Sequence, residues 1–429
     1  MSGDSSGLSR AIFIFIYAIP IVTAVLYGGV DTGTWAVLTV LIGAMTILWL
    51  LDGWLSRGLL LGATSLLIPI LALCGVGMLQ LGLGTSADPY STRLFLIKLI
   101  CYSIFFAAAS TFINTPQRVK KIVIGIVIFA AAMALFGILQ RISNADTIYG
   151  MRESPQAIPF GPFINQHHFA AFMEMAAALA VSLLVGKSLA REKKFLIAIC
   201  LLFLAVAITL TGSRGGLISF VAAAAFVGVV TYPLRLRTRS GRNEERARRL
   251  PWVIAGVAGL FLFVVFIVSI GGDESLMRGV GIGGVGEDVT NGRLHFWSIA
   301  LKIFSEHPIL GAGLESFGVS FTRHDTWAGI LRIEYAHNEY LQTLADSGIA
   351  GLTCVVAFLV LLFRKSYRAI RAPQDNFSLE ASIGAIAGCL AVAIHSFFDF
   401  PLRTPSNAFF FLLLVVIVST RIQVTKKAS

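Results

Sequence analysis

The chain has 429 residues, 56% of them hydrophobic and 13% charged, with a mean hydropathy of +0.81, whereas a soluble globular domain carries about 25% charged residues. That composition excludes a water-soluble protein and argues against intrinsic disorder, a disulfide scaffold and a nucleic-acid-binding domain. It suffices for about twelve transmembrane helices of about 20 residues each. The net charge of +11 therefore asks first which side of a membrane holds the basic residues.

Apolar runs between polar or Gly/Pro punctuation predict spans near 11–28, 35–51, 58–84, 93–113, 120–142, 169–186, 195–210, 215–234, 252–271, 349–363, 381–398 and 407–423. The first run leads into Tyr27-Gly28-Gly29-Val30-Asp31 rather than a small-residue cleavage pattern, so it is expected to be kept as a span. With the N-terminus in the cytoplasm, most of the 34 basic residues fall in cytoplasmic segments, which predicts both termini on that side and an even number of spans. The Arg-rich stretch 235–249 then reads as a solvated loop beside anionic lipid headgroups, and no nucleic-acid partner is expected. Cys74, Cys101, Cys200, Cys354 and Cys389 are scattered singly through apolar stretches, and neither a disulfide nor a metal is expected of them.

The expected fold class is an all-α polytopic membrane protein of about twelve transmembrane helices with a large, partly helical outer loop. Its parts are spans one to nine over 1–271, a loop domain over 272–348, and spans ten to twelve over 349–429. Long loops in compact proteins are functional or disordered, and 272–348 is too rich in aromatic and apolar residues for disorder. Within it, Asn291-Gly292-Arg293 precedes a predicted amphipathic helix over 294–304, expected to lie along the outer interface and to end at His307-Pro308. The turn-rich Ile309-Leu310-Gly311-Ala312-Gly313-Leu314 follows, and a second helix opens near Ala336-His337-Asn338-Glu339-Tyr340-Leu341-Gln342.

Several residues could carry chemistry. In Thr211-Gly212-Ser213-Arg214-Gly215-Gly216, at the outer face, the glycines permit close backbone approach. Free N–H groups of the following helix and the Arg214 guanidinium would suit a phosphate or diphosphate; a tight turn with Arg214 reaching the headgroups is the structural alternative. His337, at an outer helix start, could take a proton from a hydroxyl, because imidazole is the side chain that ordinarily titrates nearest neutral pH. The alternative is a surface histidine bonded to its loop. Arg293, Arg323 and Arg332 share this loop as phosphate candidates or solvated charges. Adjacent His167 and His168 do not point the same way on a helix, and no zinc site is expected of them. His395 and Asp399, spaced i,i+4 with Arg403 beyond, read as structural glue, with a catalytic role as the alternative. Glu174 lies inside a span and must face protein or a wet cavity.

These pieces in this order resemble a known family. Asn291-Gly292-Arg293-Leu294-His295-Phe296-Trp297, then Glu306-His307-Pro308-Ile309-Leu310-Gly311-Ala312-Gly313, then 336–342, then Gly348-Ile349-Ala350-Gly351-Leu352 look like the signature region of the bacterial O-antigen ligase and O-antigen polymerase superfamily. The 211–216 motif, the segment 161–169 and the Tyr27-Gly28-Gly29 turn also fit. The resemblance implies a GT-C-like fold and a metal-independent, inverting glycosyl transfer without a cofactor, at the periplasmic face of the inner membrane. The donor it implies is an undecaprenyl-diphosphate-linked glycan. In the ligase branch the acceptor is a sugar hydroxyl of lipid A-core; in the polymerase branch it is another lipid-linked repeat unit. Carried over, His337 would be the general base and Arg214 and Arg293 would hold the diphosphate; apart from the resemblance, Asn338, Gly215, Gly216, Arg332 and Arg403 are candidate supporting residues. The ligase is favoured on length and the compact outer region. A transporter is the rival of another class, but transporters bind near the midplane, whereas the distinctive polar residues here gather in outer loops.

Overall fold

The computed structural model describes residues 7–59, 61–62, 65–143, 147–154, 157–237, 292–326, 333–372 and 375–420. In chain order the helices are α1 (Gly7–Val25), α2 (Thr32–Leu55), α3 (Leu67–Gly82), α4 (Pro89–Phe112), α5 (Pro116–Ile142), α6 (Gln166–Val185), α7 (Arg191–Leu210), α8 (Arg214–Arg237), α9 (Arg293–Glu306), α10 (Phe317–His324), α11 (Glu339–Arg371), α12 (Asn376–His395) and α13 (Pro405–Ser419). Between α5 and α6, strands β1 (Thr147–Ile148) and β2 (Arg152–Glu153) pair antiparallel, Thr147 opposite Glu153.

Among the described residues nine helices are long and apolar enough to cross a membrane, namely α1, α2, α4 to α8, α11 and α12, and α3 and α13 are shorter apolar helices. They fall on every predicted span except 252–271, which lies outside the described residues, as does most of the Arg-rich stretch 235–249. The protein is an all-α polytopic membrane protein. The 24 residues of α4 rise about 36 Å at 1.5 Å each, enough for a hydrocarbon core of about 30 Å. Side-chain caps set where helices begin: Asp88 accepts from Ser91 N (3.1 Å) ahead of Pro89, Thr115 from Arg118 N (3.3 Å) ahead of Pro116, and Asn165 from His167 N (2.8 Å).

The chain divides into two compact units: Met1–Asn114, Glu287–Arg371 and Ser396–Arg421 form the first, and Thr115–Gly286, Ala372–His395 and Ile422–Ser429 the second. In the second unit α6 is buried along almost its whole length and α12 packs on it at Gly384, where a side chain would meet Leu179 and Ser182. Lipid gives helices no hydrophobic reason to associate, so small residues and interhelical hydrogen bonds must serve, such as Ser182 Oγ donating to Glu380 O at 2.6 Å. Glu174 is fully buried between these helices with His395, whose Nδ1 lies 3.1 Å from its carboxylate. Glu174 thus faces protein, as its sequence position requires.

In the first unit α13 packs Phe409 edge-on against Tyr102 and Phe105, each at 4.9 Å between ring centres. The loop between α8 and α11 has its own core, in which Phe296, Ile299, Ala300 and Ile303 of α9 meet Ala312, Phe317, Phe321, Ala336 and Ala345. This corrects the expectation that the apolar face of α9 lies along the membrane interface. That face is buried in the loop's core.

Candidate active site

The segment after α9 is fastened to α11 by backbone contacts that need glycine. Helix α11 breaks at Gly348 (φ 60°, ψ −159°), a conformation that side chains disfavour. At the break Ile349 N donates to Pro308 O (2.9 Å), Ala350 N to Ile309 O (3.1 Å), Ala312 N to Ala345 O (2.9 Å) and Gly313 N to Asp346 O (3.0 Å). A side chain on Gly311 would collide with the backbone of Asp346 and Ser347, and one on Gly348 with the Ile309 carbonyl. The His-Pro-x-x-Gly-x-Gly segment and Gly348 are therefore two sides of one contact. From α3, the Gln80 amide completes it, donating to Leu310 O and to Asp346 O (2.8 Å) and accepting from Leu314 N (3.0 Å).

His337 is held in the left-handed region (φ 50°) by its neighbours on both sides. Ala336 O accepts from Trp297 Nε1 (3.1 Å) and Ala336 N donates to Gln342 Oε1 (2.6 Å). The Asn338 side chain caps α11, accepting from Tyr340 N and Leu341 N at 3.1 Å, and Glu339 N donates to Ser396 O at 2.9 Å. A strained residue persists only where its surroundings over-determine it, and such residues cluster at working sites. His337 Nδ1 lies 3.1 Å from Asp399 Oδ1, with side chains 31% and 2% exposed. Asp399 Oδ1 also accepts from Phe400 N (2.9 Å). An ionised carboxylate only accepts, so it places the imidazole proton on Nδ1 and leaves the Nε2 lone pair free to act as a base. Phe400 and Phe296 flank the ring at 5.0 and 6.1 Å between centres.

Arg403 follows Asp399 in the same turn and is 6% exposed. Its Nη1 lies 2.9 Å from Glu315 Oε1, its Nε 3.1 Å from Glu339 Oε1 and its Nη2 3.3 Å from Asp346 Oδ2. Burial opposes the charge on Arg403, but Glu315, Glu339 and Asp346 more than offset it and hold the guanidinium protonated more firmly than usual. The Glu315 charge, then burial, raises the Tyr335 phenol, which stacks on Phe400 at 4.2 Å between ring centres. Glu315 is itself a left-handed residue (φ 61°).

Of the residues singled out in the sequence, the structure joins His337, Asn338 and Arg403 in this unit. Half-buried Arg293 opens α9 one helical turn before Trp297, which bonds to the residue preceding His337. Arg323 is exposed at the end of α10, and Arg332 lies outside the described residues. The i,i+4 reading of His395 and Asp399 is corrected. Helix α12 ends at His395, so Asp399 lies past it in a turn, where its carboxylate meets His337, while His395 meets Glu174. Sequence reasoning missed Asp399 as the histidine's partner, Glu315, Glu339 and Asp346 as partners of Arg403, and Gln80. The signal for Gln80 was available, since a lone amide inside an apolar span needs polar partners.

In the second unit Arg214 is exposed at the N-terminus of α8. The Ser213 hydroxyl accepts from Gly216 N (3.2 Å) and Thr211 Oγ1 from Ser213 N (3.3 Å), so side chains cap this end. Gly215 and Gly216 are buried, and a side chain on Gly216 would press on Ala170 of α6. Gly216 thus serves helix packing, and the arginine is left outward at the positive end of a helix dipole. Among the described residues no three His, Cys, Asp or Glu side chains are set to hold a metal ion.

Residues 199–356 match the family model described as O-Antigen ligase. No curated protein matches the chain significantly. The matched segment contains Arg214, Arg293, His337 and Gly348, whereas Asp399 and Arg403 lie beyond it. Over residues 199–356, just over a third of the chain, the protein is thus similar to the O-antigen ligase family, and its long apolar helices make it a multi-pass membrane protein.

Proposed function

We propose that this protein is an O-antigen ligase of the bacterial inner membrane, transferring a glycan from undecaprenyl diphosphate to a sugar hydroxyl of lipid A-core at the periplasmic face. The observation that carries the reading is a partly exposed His337 whose Nδ1 meets buried Asp399 at 3.1 Å, within reach of a family segment that includes the histidine. In the reaction His337 Nε2 takes the proton of the acceptor hydroxyl. The hydroxyl oxygen bonds to the anomeric carbon from the face opposite the leaving group, the bond from that carbon to the diphosphate breaks, and the electron pair leaves with undecaprenyl diphosphate. Asp399 stabilises the imidazolium so formed. Arg293, and in the second unit Arg214, are the residues that the resemblance assigns to the diphosphate, where fixed positive charge lowers the barrier as negative charge grows. The leaving group needs only charge neutralisation, so a base and arginines suffice without a metal.

The test is transfer in vitro with purified protein, undecaprenyl-diphosphate-linked glycan and lipid A-core in the presence of EDTA, comparing the wild type with His337→Ala and Arg214→Ala. Glycan on lipid A-core with the wild type and not with the variants supports the ligase. Longer lipid-linked glycan instead would make the protein a polymerase, and no transfer by a folded protein would favour a transporter.

A further inference from the structure

We infer that Arg403 is the positioning residue of the His337 base, a clamp that locks the two chain segments carrying His337 and Asp399 in register. This rests on the proposed role of His337, and it assigns Arg403 a task other than holding substrate phosphate.

The two segments, 335–339 and 399–403, are joined by parallel bridges. One is the His337–Asp399 contact at 3.1 Å; the other is Arg403 Nε on Glu339 Oε1, also at 3.1 Å. Arg403 stands four residues after Asp399, and Glu339 two after His337, so a shift of either segment strains both bridges together. The Tyr335–Phe400 stack at 4.2 Å and the Glu339 N to Ser396 O bond at 2.9 Å tie the same pair of segments. The remaining guanidinium nitrogens reach Glu315 and Asp346, at 2.9 and 3.3 Å. Asp346 belongs to the segment that the Gly311–Gly348 contact and Gln80 hold fixed. Arg403 thus references the base to the rigid outer platform. A planar fork with separate donors in fixed directions suits three carboxylates that converge from the Glu315 turn and from two points of α11 better than an ammonium on a flexible stem does. A guanidinium enclosed in this way, 6% exposed, is spent on protein carboxylates.

Deleting Arg403 would leave buried carboxylates unpaired and could unfold the protein. The informative variants are Arg403→Lys and Glu339→Gln, the second leaving Arg403 with two carboxylate partners. The experiment uses the full chain in nanodiscs. Amide hydrogen exchange is followed over 335–341 and 397–403, and kcat and KM for the lipid-linked donor are measured for Arg403→Lys, Glu339→Gln, Asp399→Asn and the Glu339→Gln/Asp399→Asn double variant, with His337→Ala as reference. The expected result is severalfold faster exchange in both segments, with exchange in α4 unchanged, a fall in kcat at constant donor KM, and a Glu339→Gln loss that largely disappears in the Asp399→Asn background. Losses that simply multiply, or exchange unchanged in folded Glu339→Gln, would overturn the inference, as would a raised donor KM in Arg403→Lys, which would make Arg403 a substrate ligand. If His337→Ala transfers glycan as well as the wild type, the proposed function fails instead, and the exchange rates still decide whether the clamp exists.

Discussion

Replacing Asp399 with Asn tests the histidine pair at nearly constant shape. In the wild type Asp399 Oδ1 accepts from His337 Nδ1 (3.1 Å) and from Phe400 N (2.9 Å). The Phe400 N–H is buried and needs an acceptor, so the amide is expected to keep its carbonyl oxygen in the Oδ1 position, and His337 keeps its proton on Nδ1. What disappears is the negative charge that faces the imidazolium as the acceptor gives up its proton. Hydrogen bonds to charged groups contribute about 1.5–3 kcal/mol and neutral ones about 0.5–1.5. The difference, about 1–1.5 kcal/mol, corresponds to about a tenfold loss in kcat. Solvent reaches His337, which is 31% exposed, and its screening holds the effect to that range rather than more. Asp399→Ala also frees the tautomer, and its loss is expected to approach that of His337→Ala, about 10²–10⁴ for a general base. Single-turnover transfer from the lipid-linked donor, with KM measured separately, gives the ordering. Asp399→Asn as fast as the wild type, or a loss expressed in KM alone, would refute a role for Asp399 at the base.

Gly348→Ala is expected to lower the thermal midpoint in detergent, since the left-handed conformation costs a side chain about 1–3 kcal/mol even before the collision with the Ile309 carbonyl. Gly82→Ala, with open space around its Cα, should leave the midpoint nearly unchanged and serves as the control. Gln80→Leu should loosen 310–314, because it strands the Leu314 N–H at about 1–3 kcal/mol for an unsatisfied buried donor; faster hydrogen exchange there is the measurement. Glu174→Ala leaves His395 buried without its carboxylate, a loss of about 3–5 kcal/mol for a broken buried pair. Glu174→Gln, which can still accept a hydrogen bond, should unfold at a temperature between the two, and equal midpoints for Glu174→Ala and the wild type would count against the pair's contribution.

The sequence alone determined the class of protein and most of its spans, because lipid demands long apolar helices and leaves few alternatives. It also marked His337, Arg214 and Arg293 as residues worth testing, and it placed a helix start near 336–342. The tertiary structure decided the partners. Asp399 stands four residues after His395, a helical spacing, yet α12 ends at His395 and the turn over 396–399 carries the carboxylate to His337, 62 positions away in the chain. Periodicity is a local signal, and a contact of that separation is set by how the segments dock. The same holds for Arg403: a basic residue in a loop resembles a phosphate ligand in sequence, and only the convergence of Glu315 from one segment with Glu339 and Asp346 from α11 shows where its charge is spent. The α9 helix makes the point for apolar residues. Its amphipathic pattern fixes which face is buried, but whether lipid or protein covers that face depends on Phe317, Phe321 and Ala345 arriving from elsewhere in the chain.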